Sequence, residues 1–182
     1  MARGSSSSGC LKISERRKPG FKDYVAMSIG GVSFMAQIAW CVLFYNWAGL
    51  DWLLYLGWAI LAVGVIIMSM PRREFMRKGM APEGERWLHT TVVVDSGIYA
   101  AVRHPIYLGW VLLSLSFMLI SQHWAGPILA VAPIAMFVWG IQSEDRGNVE
   151  KFGEDYIRYQ KTVPKANLIL GIIRLLRRKM RG

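Results

Sequence analysis

Two pairs of ionisable residues in this sequence could bind a charged ligand. Arg103 and His104 stand directly before Pro105 and a long apolar run, and Glu144 and Asp145 follow the last apolar run. Proline suits the first turn of a helix. Arg103 and His104 would therefore precede a helix N-terminus, whose free amides and dipole attract anions. A structural role, anchoring that helix at the level of the lipid headgroups, fits the same spacing.

The acidic pair raises a different question, because it lies where a cation would be expected. Carboxylates at the C-terminal end of an apolar helix are opposed by the helix dipole and by an anionic membrane leaflet. A positive group must offset Glu144 and Asp145. Arg103, Arg146 and a bound cation are the three candidates for that group.

Histidine and cysteine offer little further chemistry. His89, His104 and His123 are dispersed along the chain, on what we predict to be both faces of a membrane, so we expect no metal site. Cys10 and Cys41 are too few for a disulfide framework. Cys41 lies in an apolar run and is predicted to be a small buried hydrophobic residue.

The elements that must position these residues are apolar helices. The chain has 182 residues, of which 53% are hydrophobic and 19% charged, against about 25% charged in soluble domains. This composition argues against an ordinary soluble enzyme, a disulfide-rich secreted protein and a disordered tail. A membrane-crossing helix needs about 20 apolar residues. Four runs approach or reach that length, at residues 25–48, 52–70, 106–121 and 124–141.

Short turns at residues 46–51 and 121–123 would join these runs into two hairpins. All 22 Lys and Arg residues fall in three segments, 3–22, 72–103 and 146–181, and none falls in the two turns. Positive residues mark the cytoplasmic side. We therefore predict an all-α integral membrane protein of about four transmembrane helices, with both termini and the middle loop cytoplasmic. The basic excess follows this topology, which argues against nucleic-acid binding.

We predict two regions. Residues 1–23 form a basic, partly disordered arm, Ser-rich and unlike a cleavable signal peptide, that would contact anionic headgroups. Residues 24–182 form a single membrane-embedded domain. Its cytoplasmic parts include a short extended segment at residues 91–94 that turns at Gly97. They also include an amphipathic helix at about 149–163, interrupted by Gly153, and an interfacial helix at about 168–180.

Several motifs occur in order between residues 91 and 164, and together they resemble two enzyme families. These families are the isoprenylcysteine carboxyl methyltransferases and the phospholipid methyltransferases. The motifs are Ser96-Gly97-Ile98-Tyr99, Arg103-His104-Pro105-Ile106-Tyr107-Leu108-Gly109-Trp110, Glu144-Asp145, Phe152-Gly153-Glu154-Asp155-Tyr156-Ile157-Arg158-Tyr159 and Val163-Pro164.

The resemblance implies an integral-membrane enzyme that uses S-adenosylmethionine without the glycine-rich turn of soluble methyltransferases. It would transfer a methyl group to a membrane-associated amphiphile, either a prenylcysteine carboxylate or a phospholipid amine. Arg103 and His104 would receive the carboxylate of the cofactor, and Glu144 its ammonium group; these three are the candidate catalytic residues. The cofactor contacts implied are Thr91, Val92, Val93, Val94, Tyr99, His104, Pro105, Ile106, Tyr107 and Glu144.

Two positions depart from the family pattern. Gly140 stands where the carboxyl methyltransferases of prenylated cysteine have an arginine that helps to hold the substrate. Asp145 stands where the second acid is usually Glu. The first departure leaves the identity of the methyl acceptor open.

Two alternatives remain at this stage. Sterol reductases share a related pattern around Arg-His-Pro, which would imply a nicotinamide cofactor. This chain has too few apolar runs for a full sterol reductase, and it has Ile106 and Trp110 where that pattern favours Asn and an acidic residue. A lipid-binding membrane subunit without enzymatic activity is the other alternative.

Overall fold

The computed structural model describes residues 21–79 and 91–180, and the regular secondary structure in this part of the chain is entirely helical, without a strand. The prediction of an all-helical protein is thus confirmed. Residues 1–20, with Cys10 and most of the predicted arm, lie outside the described residues, as does His89. The elements are α1 (Phe21–Leu43), α2 (Asp51–Lys78), a short 3-10 helix (Gly97–Ala100), α3 (Pro105–Ser121), α4 (Ala125–Phe152), α5 (Glu154–Thr162) and α6 (Leu168–Lys179).

The first four α-helices form a bundle in which α2 packs most extensively on α3, and α1 packs on α4 and α3. The two connecting turns lie side by side at one end of this bundle. The backbone amide of Asn46 donates to the Ile120 carbonyl at 3.0 Å. The side chain of Gln122 accepts from the Leu50 amide and donates to the Leu50 carbonyl, both at 2.9 Å. The other end of the bundle therefore carries Arg103, His104 and the acidic pair.

The bundle has apolar side chains outside and polar side chains inside. Val32 of α1 and Tyr55 of α2 are exposed, whereas Gln37 and Ser114 are fully buried. The Gln37 amide donates to the Ser114 carbonyl and accepts from the Ser114 hydroxyl, each at 2.7 Å. Such pairing satisfies polar groups that lipid could not. An apolar exterior of this kind suits a bilayer.

The helices differ in how well their length and composition suit a membrane crossing. Helices α2 and α4 are long and apolar enough to span a bilayer, whereas residues 27–43 and 105–121 form shorter apolar helices. The number of crossings and the side on which the termini lie remain predictions.

Two helices extend beyond the apolar runs that predict them. α2 continues past Met70 to Lys78, and α4 continues past Ile141 to Phe152. Hydropathy marks the edge of the apolar layer, but backbone hydrogen bonding continues until something interrupts it. In α4 the interruption is Gly153, whose φ of +56° is in the left-handed region. The expectation that Glu144 and Asp145 end a helix is therefore wrong, and the unfavourable dipole argument does not apply to them.

Glycines allow α2 and α3 to approach closely. A Cβ atom at Gly64 would lie 2.6 Å from Leu113 Cδ1 and 3.3 Å from the carbonyl oxygen of Gly109. Small residues at a crossing let two helix backbones pack directly, as is usual in membranes.

Replacing Gly64 by a larger residue should therefore separate α2 from α3. We expect Gly64→Leu to destabilise the protein by about 1–3 kcal/mol through overpacking. Thermal unfolding in detergent measures the effect. Gly31→Leu on α1 is the matched control, because nothing lies within 4 Å of a Cβ built there. Equal stabilities of the two variants would show that the α2–α3 contact tolerates a side chain.

Candidate active site

An ionic network centred on Asp145 joins three distant parts of the chain. Asp145 Oδ1 accepts hydrogen bonds from Arg103 Nη1 at 2.9 Å, His104 Nε2 at 2.8 Å and the Tyr156 hydroxyl at 2.8 Å. Because an ionised carboxylate only accepts, His104 Nε2 must carry the proton. Arg103, His104 and Asp145 are 7%, 3% and 6% exposed. Arg103, one of the three candidates for offsetting the acidic pair, contacts Asp145 directly.

The second carboxylate oxygen of Asp145 is only partly compensated. Lys165 Nζ lies 3.5 Å from Oδ2, which is an ion-pair distance without hydrogen-bond geometry. Oδ2 and Arg103 Nε are buried and have no hydrogen-bond partner among the described residues. With two fixed cations, Arg103 and Lys165, against one anion, the network carries a net positive charge. It retains the capacity to attract a further anion.

Backbone pairing holds the network together. The amides of Arg103 and His104 donate to the carbonyls of Pro164 and Lys165, each at 3.0 Å. The segment that follows α5 therefore lies directly against the segment that precedes α3. The Tyr159 hydroxyl adds a hydrogen bond to the Tyr99 carbonyl at 2.7 Å.

Burial and hydrogen bonding act in opposite directions on Asp145. Burial alone would raise the pKa of this carboxyl. The hydrogen bonds from His104 and Tyr156, together with the electrostatic effects of His104 and of the Arg103 guanidinium, outweigh burial and hold the pKa of Asp145 well below its usual range. Asp145 is therefore ionised at neutral pH.

This lowered pKa predicts how stability depends on pH. A carboxyl with a lower pKa in the folded state contributes stability that is fully present above its unfolded pKa of about 3.9. That contribution is lost progressively as pH falls further, towards the folded value. We expect thermal stability in detergent to fall more steeply below about pH 4 in the wild type than in Asp145→Asn. Parallel curves would show that folding does not lower the pKa of Asp145.

A cavity of about 290 Å³ lies beside this network. Four segments that are distant in the chain line it: the end of α2, residues 92–107, the end of α4, and α5. The rings of Phe75 and Tyr99 stack at its wall, with centroids 4.9 Å apart and an angle of 12° between planes. Glu144 also lines the cavity and has no hydrogen bond or ion pair with any residue in the described ranges.

Burial, followed by the nearby charge of Glu144, raises the pKa of Tyr99 above its usual value. The Tyr99 hydroxyl therefore stays protonated at neutral pH.

The 3-10 helix that carries Tyr99 requires a glycine at its start. Gly97 has φ of +58°, and a Cβ there would collide with the carboxyl of Glu74. Glu74 accepts a hydrogen bond from the Ser96 hydroxyl at 2.8 Å. This hydrogen bond links the start of the 3-10 helix to the end of α2, beside Phe75.

The structure brings nearly all the predicted site residues to this one cavity, and Thr91 is the exception. The Thr91 amide donates to the Gly79 carbonyl at 3.0 Å, and its exposed side chain is not in the cavity wall. The backbone at Thr91 is held against the end of α2, one residue before the chain reaches the cavity. The predicted residues that do line it are Val92, Val93, Val94, Tyr99, Arg103, His104, Pro105, Ile106, Tyr107 and Glu144.

Sequence reasoning missed several lining residues. Phe75 gave no signal, because it lies far from the motifs in sequence. Tyr156 and Tyr159 stood within a quoted motif, but that motif was assigned only to an amphipathic helix and neither tyrosine was given a role in the site. The remaining missed residues are Asn148, Lys151 and Phe152.

A second cavity, of about 760 Å³, adjoins the first. The two share Ile106, Tyr107, Glu144 and Asn148 in their walls. Its other lining is apolar along residues 136–139 of α4 and mostly polar along residues 142–150. The apolar residues are Met27, Trp110, Met136, Phe137 and Trp139, and the polar residues are Gln142, Ser143, Arg146 and Glu150, with Gly140 and Gly147 between them.

Fold and site together define a helical protein of membrane type, with two adjoining cavities and a buried ionic network at one end of its apolar helices. The chain belongs to the phospholipid methyltransferase family, whose sequence model matches residues 52–155. The resemblance drawn from the motifs is thereby confirmed. Membership in a methyltransferase family implies a methyl donor.

Relatives carry names for two different methyl acceptors. Human protein-S-isoprenylcysteine O-methyltransferase is 35% identical over 80 residues, which is 41% of this chain and 27% of the relative. Methanethiol S-methyltransferase of Pseudomonas deceptionensis is 29% identical over 128 residues, 64% of this chain and 44% of the relative. The matches thus span less than half the length of these relatives. No solved structure matches this chain.

Proposed function

We propose that the protein transfers a methyl group from S-adenosylmethionine to a membrane-associated amphiphile at the cytoplasmic interface. The observation that carries this proposal is the first cavity. Segments separated by tens of residues converge there, and nearly every residue that the family resemblance implies for the cofactor lies in its wall. We place both termini on the cytoplasmic side, following the distribution of Lys and Arg.

The residues present fit the charged groups of this cofactor. Its carboxylate would be received by the positive network, in which Arg103 Nε is a buried donor without a partner in the described part of the chain. The first turn of α3 lines the same cavity, and His104 places no side-chain cap on it. Its positive end therefore adds to the attraction.

The ammonium and adenine groups also have suitable partners. Glu144, which also lines the cavity, offers a carboxylate to the ammonium. The stacked rings of Phe75 and Tyr99 offer an aromatic surface to the adenine. Arg103, His104 and Glu144 are thus proposed as the binding and catalytic residues, with His104 also holding Asp145 in place.

When bound, the cofactor supplies an electrophilic methyl group on a sulfonium. The protein's own contribution is to align the two reactants and to exclude water. A carboxylate or thiolate acceptor needs no general base, and an amine must only be deprotonated. The chain therefore needs no catalytic triad for this reaction.

The second cavity is the proposed acceptor site. Its apolar lining suits an acyl or prenyl chain, and its polar lining suits a headgroup. The wall shared with the first cavity, at Tyr107 and Glu144, is where the methyl group would pass. Because the relatives' names give different acceptors, the acceptor class here is argued from this lining alone.

Gly140 shapes the wall between the cavities. A Cβ at Gly140 would lie 2.7 Å from Tyr107 Cε1, so the tyrosine ring occupies the space that a side chain would need. An arginine at this position, as in the prenylcysteine enzymes, would require Tyr107 to move. We infer that this chain holds its acceptor differently from those enzymes.

Ligand-dependent stability in detergent tests the proposal. S-adenosylhomocysteine at 100 times its dissociation constant should add about 2.7 kcal/mol to the free energy of unfolding. NADPH should add nothing. Stabilisation by NADPH instead would indicate a reductase, and stabilisation by neither would indicate a lipid-binding subunit. Transfer of a radiolabelled methyl group to phospholipids or prenylcysteine analogues then identifies the acceptor.

A further inference from the structure

Helix α6 leaves both an apolar and a basic surface uncovered. Ile169 and Leu176 are 75% and 54% exposed, and Arg174, Arg177 and Arg178 are exposed beside them. The helix contains no acidic residue. It begins with a side-chain cap, in which Asn167 Oδ1 accepts from the Leu170 amide at 2.9 Å. A capped helix with this composition is formed, yet its apolar face has no cover in the described part of the protein.

α6 contacts the rest of the molecule at the backbone that carries the candidate site. Gly171 lies so close to Ala101 that a Cβ atom there would overlap the Ala101 carbonyl. Arg178 Nη2 donates to the Ala100 carbonyl at 3.0 Å. Ala100, Ala101 and Val102 connect Tyr99 to Arg103, and both Tyr99 and Arg103 line the first cavity.

The 3-10 helix links α6 to a further group of basic residues. The 3-10 helix that α6 touches packs on α2, whose last turn carries Arg77 and Lys78. The uncovered apolar face therefore lies at the end of the bundle where basic residues gather. This pattern complements a surface of anionic headgroups over an apolar layer. An acidic protein partner would account for the arginines but not for the large apolar area beside them.

We propose that α6 docks on anionic phospholipid, and that docking there steadies the Tyr99–Arg103 wall and tightens cofactor binding. The first half of the proposal, docking on lipid, is argued from the surface of α6 alone. The second half rests on the proposed function. Lipid charge would thus control occupancy of the first cavity through Gly171 and Arg178.

Hydrogen exchange and ligand titration in nanodiscs test the two halves separately. The full chain is placed in phosphatidylcholine nanodiscs with and without phosphatidylglycerol. Exchange of residues 168–180 and the affinity for S-adenosylhomocysteine are then measured. We expect anionic lipid to slow exchange across α6, and added salt to reverse the effect. Affinity should rise about five-fold, at the lower end of usual coupling between sites.

A charge-removal pair provides the matched control. Arg174→Gln with Arg177→Gln should weaken docking about 25-fold, since each charge near an anionic surface contributes a factor of about five. Arg158→Gln with Lys161→Gln removes the same charge from exposed positions on α5. This control pair should leave exchange in α6 and ligand affinity unchanged.

The possible outcomes are distinct. Lipid-dependent protection of α6 without S-adenosylhomocysteine binding in any nanodisc would support docking and overturn the proposed function. Tight ligand binding with no effect of lipid charge on α6 would overturn the docking proposal. Protection that depends on protein concentration rather than lipid would assign the apolar face to a second copy, and would also overturn it.

Discussion

Asp145→Asn is expected to destabilise the protein by about 3–5 kcal/mol, the usual cost of removing one partner from a buried ion pair. The side chain changes little in size, but Arg103 and His104 lose the carboxylate that both contact. Lys165 can turn to water, whereas the guanidinium of Arg103 is buried and cannot. Unfolding in detergent, followed by temperature or denaturant, measures the loss.

An exposed aspartate on the neighbouring helix provides the control for this result. The Asp155 side chain is 78% exposed, and its carboxylate lies 4.0 Å from Arg158. Asp155→Asn should change stability by no more than about 0.5 kcal/mol, as is usual for surface positions. If the two variants unfold alike, the network around Asp145 does not stabilise the folded protein.

Glu144→Gln should have the opposite profile, with a large loss of cofactor affinity and little loss of stability. Glu144 lines both cavities and is engaged by no ion pair among the described residues. Removing its charge would cost a charge-assisted hydrogen bond to the cofactor, worth about 1.5–3 kcal/mol. Calorimetric titration with S-adenosylhomocysteine should therefore show binding weaker by about 10- to 150-fold.

Glu150→Gln is the matched control, because Glu150 lines only the second of the two cavities. It should leave the affinity for S-adenosylhomocysteine unchanged. Equal affinity of the wild type and Glu144→Gln would remove Glu144 from the cofactor site. Weaker binding in both glutamate variants would point to a general electrostatic effect rather than to a contact.

The positions of the helices could be predicted because lipid and backbone chemistry impose a simple pattern. Long apolar runs must be helical in a bilayer, and Pro105 marked the first residue of α3, where the structure begins that helix. The far end of α4 could not be predicted in the same way. Charged residues after Ile141 resemble a boundary, but the helix ends only at Gly153.

The sequence also could not predict that the two adjacent acids have different surroundings. Glu144 and Asp145 differ by one position, which is about 100° of rotation around a helix. Which of them faces Arg103 depends on how α4 is turned by its packing on α1 and α3. The same holds for Phe75 and Lys165, which reach the site only because α2 and the segment after α5 end beside it.

The pairing of residues 103–104 with residues 164–165 has a consequence for biosynthesis. Membrane helices insert as the ribosome makes them, so α3 is in place well before residue 164 emerges from the exit tunnel. Until then the backbone amides of Arg103 and His104 lack their acceptors, the carbonyls of Pro164 and Lys165. Assembly of the candidate site is thus expected to be a late event, and nascent chains stalled before this point would lack these two hydrogen bonds.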